Sequence, residues 1–522
     1  MALSNSHNHH DHHVALLSSP GMGHIIPFLQ LAKRLLTHQK INITKATLFT
    51  ISFNSSSSSS KAQKDLLQSA IDDQSLSIDI IHLPPIHISN HNDDDVTIET
   101  KIAITMHEAP KLFATAISNM ESKPTMIITD YFLSQALPLV KKNKMKVPMY
   151  LFVPTNAWVV ALGFHTPKLD KEVEGEYHSH GDSPIQIPGC KAMHPSDLFQ
   201  MMEDRTHRLY REYLLMCEAL SLADGIFVNT LEELEPKTFE ALRSGKITKV
   251  PIYPIGPVIR EINNKQNRIN DVLDWLDKQE EESVIYVSLG SGYSMSYEQI
   301  KEMALGLEQS GQKFVWSLRP PSTKAGNNYH YFTAGEDAET NKNGHSSLQE
   351  ENLTPESKNG ETNSVTKSQQ SSDYLPEEFY RIQRNGIVLM DWAPQLEILS
   401  HPSIGGFVSH CGWNSIMESV SCGVPIICWP LFAEQMMNAS MLEDEEEVGI
   451  AIRLNVSMST KNVASEEIGK AIRKIMDKGD TEGFVIRKRV KELKHFAEKA
   501  WSHDHGSSYF ALSRIIDLNG AS

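Results

Sequence analysis

The chain has 522 residues, 40% of them hydrophobic, which is too long for one ordinary core and enough for two. With 49 Lys and Arg against 65 Asp and Glu the formal net charge is −16, which argues against nucleic acid or an anionic membrane as partner, since either calls for a basic face. The five cysteines (Cys190, Cys217, Cys411, Cys422 and Cys428) form no CxxC pair and read as buried thiols in a reducing compartment.

The first residues, "MALSNSHNHHDHHVALL", have neither a basic n-region nor a long apolar h-region, so no secretory signal is expected. Residues 1–12 read as a disordered tail, and His7 to His13 as solvated side chains rather than a metal site. No apolar run reaches the ~18 residues that suggest a membrane span. A cytoplasmic protein without a membrane span is the expectation.

"HVALLSS" (13–19) ends at Pro20-Gly21 and leads into "IIPFLQLAKRLL", which has helical periodicity. "NSSSSSSK" (54–61) reads as a loop tip. "TMIIT" (125–129) stops at Asp130, and "MYLFV" (149–153) stops at Pro154. "VPIYPIGPV" (250–258), with three prolines and a glycine, reads as an irregular join between domains. Beyond it "SVIYVSLGS" (283–291), "GIVLM" (386–390), "IGGFVSH" (404–410) and "VPIICW" (424–429) repeat the earlier form. The polar stretch 321–373 reads as a long disordered insertion, and the acidic run Glu443 to Glu447 as solvated surface. Continuous apolar runs alternating with helices predict parallel strands buried on both faces. The fold class is α/β, two doubly wound domains with ligands expected beyond the carboxyl ends of their strands.

At those strand ends stand Gly21-Met22-Gly23-His24, Asp130, Thr155, Ser291, Trp392-Ala393-Pro394-Gln395 and His410 through Ser415. A helix opening near Gly412 or Trp413 aims its first amides at the cleft and suits a diphosphate. Asn414, Ser415 and Glu418 fall on one helical face, and a carboxylate there suits a ribose diol. Trp392 offers a flat face for a base, with Gln395 beside it to read the base edge. Base, ribose and phosphate are thus provided for within a short segment. His24 follows a turn at a strand end, where a neutral imidazole serves as a base, and Asp130 occupies the equivalent place on another strand. GxGxxG is absent, since His24 follows Gly23 at once, which weakens a nicotinamide or flavin reading. Asp93-x-Asp95 has a carboxylate spacing that can hold a divalent metal, yet it sits in a polar loop far from the Trp392–Glu418 segment. No metal and no cofactor are expected.

The segment "WAPQLEILSHPSIGGFVSHCGWNSIMESVSCGVPIICWPLFAEQ", Trp392 to Gln435, resembles the signature box of plant secondary-product UDP-glycosyltransferases over its full length. "SSPGMGHIIPF", "HTPKLDKEVEGEY", "IPGCKAM" and "YVSLGSGYSMSYEQIKEMALGLEQSG" are similar to the branch acting on hydroquinones, monolignols and other small phenolics. The resemblance implies a GT-B fold of two facing Rossmann-like domains. Its expected parts are an acceptor-binding domain over 13–256, a UDP-sugar domain over 257–490 and a helical segment over 491–522 returning to the first. It implies that Trp392 stacks on uracil, that Ala393 and Gln395 hydrogen-bond to it, and that Ser291, His410, Asn414 and Ser415 meet the diphosphate. Glu418 is implied to hold the ribose, Glu434 and Gln435 the sugar, with Trp413 shaping its pocket and Thr155 reaching it. His24 is then the base and Asp130 its partner. The implied activity is inverting, metal-independent transfer of glucose from UDP-glucose to a small phenolic acceptor, giving an O-linked β-glucoside, by a monomer. An aromatic C-glucosyltransferase and a non-catalytic sugar-nucleotide binding protein remain as alternatives.

Overall fold

A computed structural model describes residues 12–53, 61–73, 75–87, 96–143, 145–180, 183–262, 270–319, 376–390, 393–444, 446, 448–457 and 459–519. The tail before His12, most of the serine loop, Asp93 and Asp95, the 321–373 segment and Trp392 lie outside them.

Two parallel sheets carry the fold. The first comprises β1 (His12–Leu17), β2 (Ile43–Thr50), β3 (Ile78–His82), β4 (Met126–Asp130), β5 (Met149–Val153), β6 (Gly225–Val228) and β7 (Ile252–Pro254), in the order β3-β2-β1-β4-β5-β6-β7. The second comprises β8 (Val284–Ser288), β9 (Lys313–Ser317), β10 (Gly386–Leu389), β11 (Ile404–Ser409), β12 (Ile426–Cys428) and β13 (Ala451–Arg453), in the order β10-β9-β8-β11-β12-β13. Each reverses its winding once, between β1 and β4 and between β8 and β11, and a doubly wound sheet opens its binding crevice at that point.

The central strands are buried on both faces because successive side chains point to opposite sides and both sides are covered. In β1, Val14 and Leu16 join the apolar cluster on one face while Ala15 and Leu17 join the other. The cluster holding Ala15 and Leu17 runs on into the second half of the chain, taking in Trp413, Ile416 and Met437. The two domains therefore meet through continuous apolar packing.

One expectation needs correction. "VPIYPIGPV" is not wholly irregular, because β7 occupies Ile252–Pro254. Proline is tolerated there since β7 is the edge strand, where a missing N–H removes no ladder bond. The helix Thr481–Lys499 packs on the helices Trp413–Cys422 and Ser465–Met476, and the chain beyond it reaches the first domain. The Trp501 indole donates to the Pro257 carbonyl at 2.9 Å, the Ser508 hydroxyl donates to the Gly256 carbonyl, and His38 stacks on Tyr509 at 4.0 Å. No described helix is long and apolar enough to cross a membrane.

Candidate active site

The first wall forms where β1 and β4 diverge. Gly21, at φ 96°, turns the chain sharply between β1 and the helix Met22–Thr37, a conformation that costs glycine little. The turn sets His24 in the first helical turn, its amide donating to the Gly21 carbonyl. Asp130 closes β4 and is fully buried. His24 Nδ1 lies 2.7 Å from Asp130 Oδ2. Asp130 also accepts from the Phe132 and Ser19 amides, at 3.0 and 3.3 Å, which fixes the orientation of the carboxylate. As a carboxylate Asp130 accepts, so Nδ1 carries the proton and Nε2 is the basic nitrogen of the ring. Burial pushes the His24 imidazole down. The Asp130 charge and hydrogen bond, with Glu434 behind them, outweigh it and hold the ring above its usual value.

The second wall forms where β8 and β11 diverge. The His410 ring packs between Gly290 (φ 76°) and Gly412, and a Cβ at Gly290 would stand 2.5 Å from the ring while one at Gly412 would overlap Nε2. Burial pushes the His410 imidazole down to about 4, so it presents a neutral ring at physiological pH. The helix Trp413–Cys422 starts at Gly412 with no side-chain cap, leaving its first-turn amides as donors of an anion site, with the dipole in their favour. On the next turn the Gln395 amide donates to Ser415 Oγ at 2.9 Å and to Glu418 Oε2 at 2.8 Å. Burial raises the Glu418 carboxyl and the Gln395 bond opposes that rise. Ser291 is partly buried on the loop after β8, and Ala393 is buried with its carbonyl accepting from the Gln395 amide at 2.9 Å.

The walls belong to one site. Asn414, on the second-wall helix, donates from Nδ2 to the Gly23 carbonyl at 3.0 Å, one residue from His24. Glu434 is close enough to His24, Thr155 and Asn438 to feel all three, with burial the strongest influence and its carboxyl raised. Thr155 itself is buried at the end of β5.

Three readings change in detail. Gln395 has both amide hydrogens committed to Ser415 and Glu418, which leaves only Oε1 for a base edge. Trp413 is 3% exposed and its indole donates to the Asn229 carbonyl of the first domain at 2.6 Å, so it also serves as a joint between the domains. Gln435 Oε1 accepts from the Leu431 and Phe432 amides at 3.0 and 3.1 Å, which leaves only the Nε2 hydrogens for a sugar. Sequence reasoning missed Phe132, whose ring meets His24 edge-on at 5.4 Å, although it lies just two residues beyond the Asp130 strand end. Among the described residues no three His, Cys, Asp or Glu side chains gather as metal ligands.

Residues 376–483 match the family described as UDP-glucoronosyl and UDP-glucosyl transferase. The chain is 41% identical to anthocyanidin 3-O-glucosyltransferase 5 of Manihot esculenta over 96% of its own length and 94% of that protein. The chain belongs to the plant family 1 UDP-glycosyltransferases. The crystal structure of TcCGT1 in complex with UDP superposes with TM-score 0.78 at 38% identity, covering 98% of this chain and all of that one. Phytolacca americana UGT2, solved with UDP-2fluoro-glucose and pterostilbene, gives 0.76 at 31% identity, covering 97% and 99%. The fold is accordingly GT-B, and this UDP-glycosyltransferase keeps both walls of its cleft within hydrogen-bonding reach of each other.

Proposed function

We propose that the enzyme transfers glucose from UDP-glucose to the hydroxyl of a small phenolic acceptor, with inversion, and that His24 is the base. The observation that carries this reading is the His24–Asp130 pair, held at 2.7 Å and joined through Gly23 to the helix N-terminus of the opposite domain. His24 Nε2 takes the phenol proton as the oxygen attacks the anomeric carbon on the face opposite UDP. Asp130 stabilises the imidazolium that forms. The glycosidic C–O bond to the diphosphate breaks, and the charge that develops there falls on the helix amides beside the neutral His410. In this reading Ser291, Asn414 and Ser415 serve the diphosphate, Glu418 the ribose, Ala393 and Trp392 the base, and Glu434, Gln435 and Thr155 the sugar.

Phe132 supports an aromatic acceptor. An edge-on ring beside the base gives a planar phenol an apolar neighbour while its hydroxyl reaches the imidazole. The pterostilbene-bound relative has an acceptor of this chemical kind. The test is a panel of phenols incubated with UDP-glucose, with products detected by mass spectrometry and subjected to acid hydrolysis. Acid-labile glucosides are expected. Acid-resistant products would mean transfer to an aromatic carbon, and no UDP release with any acceptor would mean a binding protein.

A further inference from the structure

Between the two walls, away from the reacting groups, two asparagine side chains meet with no exposure to solvent. Asn156 Nδ2 donates to Asn438 Oδ1 at 2.6 Å, and the two residues stand 282 positions apart, one in each domain. Each amide is also tied at its far end. Asn156 Oδ1 accepts from the Val159 amide at 3.0 Å as the N-cap of the helix Ala157–Glu172. Asn438 Nδ2 donates to the Cys411 carbonyl at 2.9 Å. A backbone N–H at one end and a backbone C=O at the other leave one orientation for both amides. The relay runs one way, from Val159 through Asn156 and Asn438 to Cys411.

Its neighbours give the relay its meaning. Asn156 follows Thr155 directly. Asn438 lies one helical turn after Glu434, to whose carbonyl its own amide donates at 2.9 Å. Cys411 stands between His410 and Gly412, at the corner where the anion-site helix begins, and holds φ 65°, which is unusual for a residue with a Cβ. Three parts of the cleft, from two domains, are thus joined by one buried chain of hydrogen bonds.

We propose that Asn156 and Asn438 form a positioning bridge, which sets the sugar-side residues Thr155 and Glu434 and the corner at Cys411 in one fixed relation across the domain joint. Neither asparagine touches the reacting atoms. They act through the residues they hold, and the bridge registers the donor sugar against the base on the other wall. The inference rests on the transferase reading above for its catalytic consequence but not for its structural one.

Asn156→Ser is the decisive variant. Serine keeps the helix cap, since its hydroxyl accepts the Val159 amide, yet it is too short to reach Asn438. The expected result is a fall in kcat on the order of 10–100-fold with the Kd for UDP within about twofold of wild type. Amide hydrogen exchange should at the same time speed up across Cys411–Asn414 and Gln435–Asn438. Asn156→Ser, Asn438→Ser and the double variant should show one shared loss, the double no worse than the poorer single. Unchanged exchange in Asn156→Ser overturns the bridge whether or not the protein proves to be a transferase. Faster exchange with kcat intact overturns its positioning role, and a loss of UDP affinity as large as the loss of kcat reduces it to general stability. Failure of the wild type to transfer glucose would fall on the transferase reading alone, because exchange would still judge the bridge.

Discussion

The two walls of the cleft are built by the same topological rule from very different lengths of chain. On the nucleotide side, β11, its helix, β12 and the following turn place His410, Asn414, Ser415, Glu418, Glu434 and Gln435 within one short stretch. On the base side, His24 and Asp130 stand 106 residues apart, and they meet only because β4 pairs directly with β1. The electrostatics differ as well. Burial wins at His410, which is pushed down, whereas at His24 a buried carboxylate reverses its effect. In the proposed reading one wall recognises and the other reacts, and substitutions should separate the two.

The largest effect is expected at the base. His24→Ala should lower kcat for an ordinary phenol on the order of 10²–10⁴-fold while the Kd for UDP stays within about twofold. Isothermal titration and steady-state kinetics on the same preparation check it. Retained turnover with a weakly acidic acceptor would remove His24 from the mechanism.

Asp130→Asn sharpens the same wall through pH. The base works in its neutral form, so kcat/KM should climb with pH and level off above a midpoint higher than the usual histidine value of about 6.5, since His24 is held up. In Asp130→Asn, burial loses its main opponent, and the midpoint should move down, with kcat falling by roughly tenfold or more. An acceptor that does not ionise near neutrality is needed for the profile to report the enzyme. A midpoint that does not move would show that Asp130 fixes the ring without tuning it.

Glu418→Gln tests the other wall. Replacing a charged acceptor by a neutral one should weaken UDP binding about tenfold and leave the pH midpoint of kcat/KM where it was. A variant that shifted the midpoint instead would mean that the walls do not divide the work as proposed.

The difference between the walls also explains what could be read from sequence. The nucleotide box was legible because its strand, helix start and polar residues are contiguous, so local pattern and physical neighbourhood coincide. His24 and Asp130 were legible as strand-end residues, but their contact depends on strand order, which periodicity does not carry. Strands such as β13, with three residues, are too short to show a period, and β7 was hidden by the prolines its edge position tolerates. The inward engagements of Gln395, Trp413 and Gln435 were out of reach for another reason. A polar side chain beside a cleft has the same pattern whether it faces the ligand or braces the wall. Only the positions of Glu418, Asn229 and the Leu431–Phe432 turn decide between those uses.

Gln435 provides the most discriminating prediction. Its oxygen is occupied by two backbone amides, so any contact with the sugar is made by Nε2 as a donor. A donor held in a 3%-exposed side chain discriminates by losing its partner when a hydroxyl is inverted. An unsatisfied buried group costs about 1–3 kcal/mol, so UDP-glucose should be preferred over UDP-galactose by roughly 5- to 150-fold in kcat/KM. Gln435→Ala would confuse the test, because it also strips the Leu431 and Phe432 amides of their acceptor and would lower Tm. Gln435→Glu keeps an acceptor for those amides and replaces the Nε2 donors with a second oxygen, at the cost of a carboxyl buried beside Glu434. It should bring the two donors within about twofold of each other. A glucose preference that survives in Gln435→Glu would assign sugar choice to Glu434, the neighbouring carboxylate that faces both His24 and Thr155.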